Sequence, residues 1–544
     1  MCSCFSSLAL SLVVGTSCMI SLANAQSGPP PFSPEISYLL TGIPTLVQVL
    51  KGYETPIAIR FTNYFDSTWW NCVATYSSDF KDALTKERPA ISSLDESTHT
   101  TQHRAACVVQ ATASLNDLWF GGNDGYLEAM NRAFPDLVIE PKIDANVTSC
   151  GGDSLCLQAV AQGGQFNPVT MGHVIAQQTF KHGLSDGFNQ LGTDAGCTIS
   201  CRPYSDTSGY TPLKKGSDSW QPLVESNGKG FFYFQEFVTP HIGQKAEFRY
   251  LPESERETRV IRKPNYSKKR DMEAREVIHQ MALLNDTSKV EIEAFDDKLY
   301  IATTIIGTFV NKILGAGQAG FVDTQLGQEG YLLSLERVLH FSQGLTATEY
   351  DSIIIAWKEK VRYSLVRPTT VIKELGEERI STWAPGGVQD FAAKDFEAYI
   401  RVMPHAEYTS GSSCLFQALE EYIKGYLAAL GLDTGFPVEF PPVAKGQSKV
   451  EPGIVPASEV VLRYESLEDM AEAGSQSRFK GGMHLRDSVP AGIELCSGIA
   501  DYVVWGSNNL IKPKGGIFDR APPSNDLSSS KSSKSSKSKA PLSN

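Results

Sequence analysis

The chain has 544 residues, of which 41% are hydrophobic and 20% are charged, and its formal net charge is −12 at pH 7. A chain of this length is expected to bury more than one hydrophobic core. The negative net charge argues against nucleic acid or an anionic membrane surface as the main partner.

The N-terminus has the pattern of a secretory signal peptide. An apolar run from Leu8 to Gly15 is followed by the small-residue sequence Ala23-Asn24-Ala25, which is typical of a cleavage site. We therefore predict a signal peptide over residues 1–25 and a secreted, extracellular protein. A membrane anchor is the alternative, because the first residues lack Lys or Arg. No later stretch is long and apolar enough to predict a transmembrane segment.

A Pro-rich linker is predicted over residues 26–37, before a mainly helical body. An N-terminal helical scaffold is predicted at 38–190 and a C-terminal helical catalytic domain at 271–515, separated by an irregular connecting region at 191–270. Helices dominate because apolar residues recur at helical spacing and strand-like alternation is rare. The helical stretches are Thr55 to Tyr76, Thr101 to Phe120, Val169 to Phe188, Met272 to Leu284, Ile292 to Leu314, Gly330 to Phe341, Thr346 to Val366, Ser413 to Leu432 and Ser466 to Gly474.

Eight cysteines remain after removal of the signal peptide, and an even number in an oxidising compartment predicts disulfides. They are Cys72, Cys107, Cys150, Cys156, Cys197, Cys201, Cys414 and Cys496. Cys150 and Cys156 are close enough for a local bridge, as are Cys197 and Cys201, or the two loops are joined to each other. A zinc site is the weaker alternative, because neither pair has the Cys-x2-Cys spacing.

The last residues, 522–544, form a low-complexity Ser/Lys tail that is predicted to be disordered. The tail is either a solvated tether or a patch that binds a polyanion, a mineral or a cell-wall surface. Sequons at Asn146, Asn265 and Asn285 predict a glycoprotein. Oligomer formation is left open.

Three segments of the C-terminal half carry groups that suit a phosphate-shaped anion. In the first segment, Lys360 and Arg367 are seven residues apart, which returns to nearly the same helical face. Both side chains can therefore reach one anion. Pro368 disfavours helical backbone at Arg367, so the arginine is expected where a helix ends or kinks.

The second and third segments supply further donors. Ser410-Gly411 precedes an apolar-periodic run, so Gly411 is predicted to open a helix whose free N–H groups face an oxyanion. Arg478 and His484 lie six residues apart across a Gly-Gly pair. They add a planar guanidinium and an imidazole to the candidate site.

In this order, the three segments resemble the signature of vanadium-dependent haloperoxidases and of the related phosphatidate phosphatase type 2 and bacterial acid phosphatases: Lys-x6-Arg-Pro, Pro-Ser-Gly-His and Ser-Arg-x5-His. The resemblance implies an all-α fold of two packed helical bundles with long irregular loops. It also implies vanadate (orthovanadate) as the cofactor, with His484 as the axial vanadium ligand. The residues that carry over as vanadate-binding are Lys360, Arg367, Ser410, Gly411, Arg478 and His484.

The resemblance implies a reaction of hydrogen peroxide with a halide ion, bromide or iodide, with chloride as a further candidate. The product would be a hypohalous-acid-like species that halogenates an organic acceptor. The residues assigned to catalysis on this basis are His484, Ser412 and Lys360.

One position departs from the family pattern. Ser412 stands where the family has its acid–base histidine, and a serine hydroxyl does not titrate near neutral pH. We expect slower peroxide activation or a narrower range of halides. An acid-phosphatase-like phosphomonoesterase and a degenerate oxyanion-binding homologue are the alternative functions.

Other residues could compensate for this change. His405 could reach the site from the preceding loop, although a partly exposed loop position is the preferred expectation. His241 and His340 could also be brought near by folding. Asp487 either orients the second nitrogen of His484 or faces solvent.

Overall fold

The computed structural model describes residues 52–77, 79–87, 101–121, 168–194, 196–210, 218–226, 229–264, 266–296, 305 and 335–511. The predicted signal peptide, Pro-rich linker and Ser/Lys tail lie outside these residues, as do Cys150, Cys156, Asn146 and Asn265. Asn285 is described and is exposed. No helix within the described ranges has both the length and the apolar composition needed to cross a membrane.

Three long helices form the N-terminal part: α1 (Thr55–Thr75), α2 (Thr101–Phe120) and α3 (Pro168–Gly183). Helix α1 begins with Pro56 in its first turn, where the missing N–H costs no hydrogen bond. Helix α1 packs on both α2 and α3, and a disulfide joins Cys72 of α1 to Cys107 of α2 with a Cα–Cα distance of 5.8 Å.

Short elements follow, among them the hairpin of β1 (Val224–Ser226) and β2 (Phe232–Phe234) and helices α4 (Ile242–Lys245) and α5 (Ser254–Thr258). Cys197 and Cys201 form a local disulfide, which confirms one of the two predicted loop bridges and excludes these two thiols as zinc ligands. The predicted division of the chain at 190 and 271 stays a prediction, and helix α6 (Tyr266–Ala282) begins before residue 271.

The C-terminal part is built around helix α8 (Leu335–Tyr363), which is 29 residues long. It packs against α1, α4 and α10 (Gly411–Ala429), and these contacts explain why nearly all of its side chains are buried. The sequence predicted two stretches separated near Gly344, which is wrong. Gly344 is instead needed inside the helix, because a Cβ there would lie 2.1 Å from the Tyr422 hydroxyl of α10.

The remaining elements of the C-terminal part include α10 and the helices and strands around α8 and α10. They are α7 (Asp286–Asp296), α9 (Pro368–Lys373), the hairpin of β3 (Arg379–Ala384) and β4 (Gly387–Ala392), α10 (Gly411–Ala429), the pair β5 (Val438–Glu439) and β6 (Arg463–Tyr464), α11 (Leu467–Lys480), α12 (Ser488–Cys496) and α13 (Ile499–Asn508). Helices dominate, so the predicted all-α fold class is confirmed.

One continuous cluster of buried apolar side chains extends through the N-terminal and C-terminal helices. Helix α10 lies at its centre in the C-terminal part, in contact with α8, α11, α12 and α13. The disulfide between Cys414 of α10 and Cys496 of α12 fixes these two helices with a Cα–Cα distance of 5.1 Å. This packing places the N-terminus of α10 inside the protein.

Candidate active site

The three predicted segments meet at the N-terminus of α10. Lys360 lies in the last turn of α8, Arg367 precedes α9, and Arg478 lies in the last turn of α11. These three side chains are at most 1% exposed. Cations near the C-terminal end of a helix also interact favourably with its dipole. Here the "oxyanion cradle" denotes Lys360, Arg367, Arg478, His484 and the Ser410–Gly411 helix start.

Helix α10 begins where the sequence predicted. Ser410 is its N-cap, and the Ser410 Oγ accepts a hydrogen bond from the Ser413 backbone N–H at 3.2 Å. Gly411 is the first helical residue, and its N–H has no intrahelical acceptor. The helix start approaches α12 closely, because a Cβ at Gly492 would lie 2.3 Å from the Ser410 carbonyl oxygen.

Lys360 holds the loop that leads into α10. Its ammonium group donates to the carbonyl oxygens of Ala406 at 2.8 Å, Glu407 at 3.1 Å and Thr409. Burial lowers the pKa of Lys360 well below its usual range, and the charge of Arg367 lowers it further. Lys360 is therefore a deeply buried group that shapes the cradle through its hydrogen bonds to this loop.

Arg367 contacts both His405 and His484. Its Nε donates to the His405 carbonyl oxygen at 2.8 Å, and its Nη1 donates to the Met483 carbonyl oxygen at 2.8 Å. The same Nη1 lies 3.2 Å from His484 Nε2, and Nη2 lies 2.9 Å from His405 Nδ1. A guanidinium has no acceptor, so both ring nitrogens accept from it.

This contact decides the tautomer of His484. Because Nε2 accepts from Arg367, the proton of the neutral ring is on Nδ1, which donates to Glu407 Oε1 at 3.1 Å. The same Oε1 accepts from the Leu485 N–H at 2.9 Å. Burial lowers the pKa of His484 well below its usual range, with Arg367, Lys360 and Arg478 adding to the effect. His484 is thus a neutral imidazole whose Nε2 lone pair accepts from Arg367 in this structure and is of the kind that binds a metal.

Glu407 is the residue that sequence analysis missed. It is buried, and burial raises its pKa. The orienting role considered for Asp487 is not supported, because Asp487 is 37% exposed and pairs with Lys269 at 3.3 Å. The sequence did contain one signal for Glu407, a carboxylate three residues before Ser410, but nothing in it connected that carboxylate to His484.

Arg478 keeps most of its hydrogen-bonding capacity unused. Its Nη2 donates to Asp296 Oδ1 at 3.1 Å. Its Nε and Nη1 are buried without a hydrogen-bond partner. Buried donors that lack a partner cost free energy, so these two nitrogens mark a place where a polar ligand fits.

His405 is buried, contrary to the preferred expectation. It is 7% exposed and its ring lies 4.5 Å from the Trp357 ring. His241 and His340 are held elsewhere, His241 by the Phe188 carbonyl oxygen at 3.0 Å and His340 by the Ser507 carbonyl oxygen at 2.7 Å. His405 is therefore the imidazole that the fold brings to the cradle besides His484.

Comparisons with known proteins agree with this architecture. Residues 340–513 match the family model of the VCPO second helical-bundle domain. The fold is similar to the solved structure of a holo-type bacterial vanadium-dependent chloroperoxidase, with a TM-score of 0.69 and 19% identity over 89% of this chain and 95% of that one. The apo-type structure gives a TM-score of 0.68 and 20% identity over 84% and 94%. The chain has the vanadium haloperoxidase fold.

A bacterial vanadium-dependent iodoperoxidase has the same fold at a greater distance, with a TM-score of 0.52 and 15% identity over 88% of this chain and 98% of that one. No curated protein sequence matches the chain. The resemblance read from the three motifs is confirmed, and the vanadium haloperoxidase fold explains how residues up to 124 positions apart in sequence, Lys360 and His484, meet in one cradle.

Proposed function

We propose that the protein is a vanadium-dependent haloperoxidase that uses hydrogen peroxide to oxidise bromide or iodide, with chloride as a further candidate. One observation carries the proposal: the two buried nitrogens of Arg478 that lack a hydrogen-bond partner belong to the same cradle as the neutral imidazole of His484. An oxyanion would accept hydrogen bonds from Arg478, and its central atom would accept a coordinate bond from the imidazole.

The charges of the cradle support an anionic cofactor. Three buried basic side chains, Lys360, Arg367 and Arg478, face two carboxylates, Glu407 and the partly exposed Asp296. Buried positive charge without a counter-ion is costly. Bound vanadate would remove this cost, so the residues present fit the group.

Arg367 and Arg478 would hold vanadate oxygens with charge-assisted hydrogen bonds, and Lys360 would add its charge. Ser410 and the Gly411 N–H would donate from the start of α10. His484 Nε2 would coordinate vanadium, with Glu407 keeping the proton on Nδ1. When bound, vanadate supplies a Lewis-acidic centre that makes hydrogen peroxide electrophilic toward a halide ion.

Ser412 lowers the turnover rate that we expect of this enzyme. It is the second residue of α10 and is partly buried, so its hydroxyl can donate to an anion or position a water molecule. It does not move a proton at neutral pH as the histidine of the family pattern does. Loss of one general acid or base costs roughly 10²–10⁴-fold in rate, and slow turnover is expected here.

The test compares wild type with His484→Ala, and uses the exposed His279→Ala as the matched control. Bromide- and iodide-dependent halogenation of a chromogenic acceptor is measured with hydrogen peroxide before and after addition of orthovanadate. The proposal requires vanadate-dependent turnover in wild type and His279→Ala that His484→Ala loses. Hydrolysis of an aryl phosphate by the vanadate-free protein would instead support a phosphomonoesterase. If the protein binds vanadate but shows neither activity, it is an oxyanion-binding homologue.

We also propose that the protein is secreted. The signal-like N-terminus supports this, as do the disulfides at Cys72–Cys107 and Cys414–Cys496, because disulfides persist in oxidising compartments. N-terminal sequencing of protein from the culture medium should begin at Gln26. A start at Met1 in a membrane fraction would favour the anchor.

A further inference from the structure

A cavity of about 810 Å³ lies next to the oxyanion cradle. Helix α1, the β1–β2 hairpin and the loop that precedes α10 contribute to its walls. Asp296 lines it and also accepts from Arg478 Nη2 at 3.1 Å, so this carboxylate belongs to the cavity wall and contacts the cradle. Sites for organic ligands occupy roughly 300–1,000 Å³. A halide ion or hydrogen peroxide needs far less space.

The inner wall of the cavity is aromatic and apolar. Trp383 and Tyr399 line it with their rings 4.8 Å apart in an edge-to-face arrangement, and both side chains are at most 5% exposed. Ile59, Ile400 and Val402 continue this surface. Such a wall suits an aromatic ring, which gains from burial and from ring–ring contact.

The charges around the cavity are mainly negative. Five carboxylates line it, against the two cations Arg401 and Lys449, and these carboxylates are Glu225, Glu293, Asp296, Glu349 and Glu397. Arg401 pairs with Glu225 at 2.9 Å. Lys373, outside the lining, pairs with Glu397 at 2.7 Å.

Glu293 differs from these paired carboxylates. Its hydrogen-bond donors are neutral: the Tyr399 hydroxyl at 3.0 Å, the Ser448 hydroxyl and the Lys449 backbone N–H at 2.6 Å. No Lys or Arg side chain of the described residues forms an ion pair with it. A carboxylate that is fixed in this way and bonded to Tyr399 of the aromatic wall is complementary to an organic cation.

We propose that this cavity binds the organic halogen acceptor and selects an arylalkylamine, with the ring against Trp383 and Tyr399 and the ammonium group beside Glu293. The assignment rests on the proposed haloperoxidase function. Hydrogen peroxide, a halide ion and a proton give hypohalous acid and water. Hypohalous acid then transfers its halogen to a ring carbon, the C–H bond breaks, and the proton leaves with hydroxide as water.

The first experiment measures binding to the vanadate-free protein by calorimetry, so its outcome does not depend on turnover. Tyramine and 3-(4-hydroxyphenyl)propionate carry the same phenol and opposite charges. We expect tyramine to bind at least about tenfold more tightly, which corresponds to ~1.4 kcal/mol. Equal affinities, tighter binding of the propionate, or no binding of either compound would overturn the proposal.

Two substitutions locate the site. Glu293→Gln should weaken tyramine binding about fivefold, as expected for a partly exposed ion pair, and leave binding of neutral 4-ethylphenol unchanged. Ala58→Trp should fill the cavity, which Ala58 lines, and abolish binding of both compounds. Val388→Trp, at a 54% exposed position of β4 outside the cavity lining, is the matched control. Unchanged tyramine affinity in Glu293→Gln would overturn the proposal even if Ala58→Trp failed to fold.

Triiodide formation by the vanadate-loaded wild type separates this inference from the proposed function, because iodide oxidation needs no organic acceptor. Triiodide formation together with tyramine binding supports both. Triiodide formation without tyramine binding overturns the acceptor site alone. Tyramine binding without triiodide formation overturns the proposed function, and with it the assignment of the bound amine as a halogen acceptor.

Discussion

Two buried arginines, Arg60 of α1 and Arg478 of α11, differ in how many of their guanidinium nitrogens have a hydrogen-bond partner. Arg60 uses all three guanidinium nitrogens: Nε donates to Asp186 at 2.6 Å, Nη1 to Gln190 at 3.0 Å and Nη2 to the Gly183 carbonyl oxygen at 2.6 Å. Arg478 uses Nη2, whereas its Nε and Nη1 have no partner.

This difference distinguishes an arginine that stabilises the fold from an arginine that is available to bind a ligand. In the N-terminal helices the partners of the buried arginine come from the protein, so its hydrogen bonds stabilise the fold. In the cradle the protein leaves donors unsatisfied, and a ligand must complete them. Burial alone therefore does not distinguish Arg60 from Arg478, whereas the number of their unpaired nitrogens does.

Removal of the Arg60 side chain should have the largest effect, a loss in the free energy of unfolding. Arg60→Ala leaves the fully buried Asp186 carboxylate without its counter-ion, and breaking a buried pair from one side costs roughly 3–5 kcal/mol. Urea denaturation of the vanadate-free protein measures this loss in the free energy of unfolding. A loss below about 1 kcal/mol would contradict the structural role.

Arg478→Ala should show the reverse pattern, a loss of ligand affinity with little loss of stability. Charge-assisted hydrogen bonds contribute roughly 1.5–3 kcal/mol, so vanadate affinity should fall about 10- to 150-fold. Calorimetric titration with orthovanadate gives the affinity, and the urea midpoint without vanadate gives the stability. Wild-type vanadate affinity in Arg478→Ala would remove this arginine from the cradle.

The N-terminal helices also hold a buried acid whose partners are neutral. Burial raises the pKa of Asp66 to about 7, with the hydrogen bond from Ser342 acting in the opposite direction. Between its ordinary value of 3.8 and about 7, the folded protein holds a proton that the unfolded chain has released. The free energy of unfolding contributed by Asp66 therefore falls as pH rises through this window, by up to about 1.4 kcal/mol per pH unit.

Asp66→Asn isolates this contribution, because the amide oxygen still accepts from Ser342 and does not titrate. Relative to wild type, the variant should gain stability as pH rises from 5 to 7, by roughly 1 kcal/mol per pH unit. Urea denaturation at three pH values measures the difference. Parallel stability curves for the two proteins would show that Asp66 is ionised in the fold.

The smallest effect is expected at Ser412. A neutral hydroxyl hydrogen bond contributes about 0.5–1.5 kcal/mol, so Ser412→Ala should weaken vanadate binding by roughly 2- to 12-fold. Stability should change little, since the side chain is partly exposed at a helix start. An affinity loss as large as that of Arg478→Ala would assign Ser412 a greater role than a single hydroxyl can have.

Some helix positions were predicted well from the spacing of apolar residues. Thr101 to Phe120 matches α2 at both ends, and Gly411 opens α10 as expected. The predictions failed where tertiary contact decided the outcome. Periodicity could not show that Gly344 continues α8, since its reason is the approach of Tyr422. The β3–β4 hairpin was also missed.

The sequence by itself determined the helical class and the anion-binding residue types, because the spacing of apolar residues, Pro368, Gly411 and the three motifs act locally. Only the tertiary structure decided that Glu407 faces His484 and that His405 is buried against Trp357. It also decided that Arg478 has unpaired donors. These properties depend on which distant side chains exclude water from each charged group, and short-range patterns do not encode that packing.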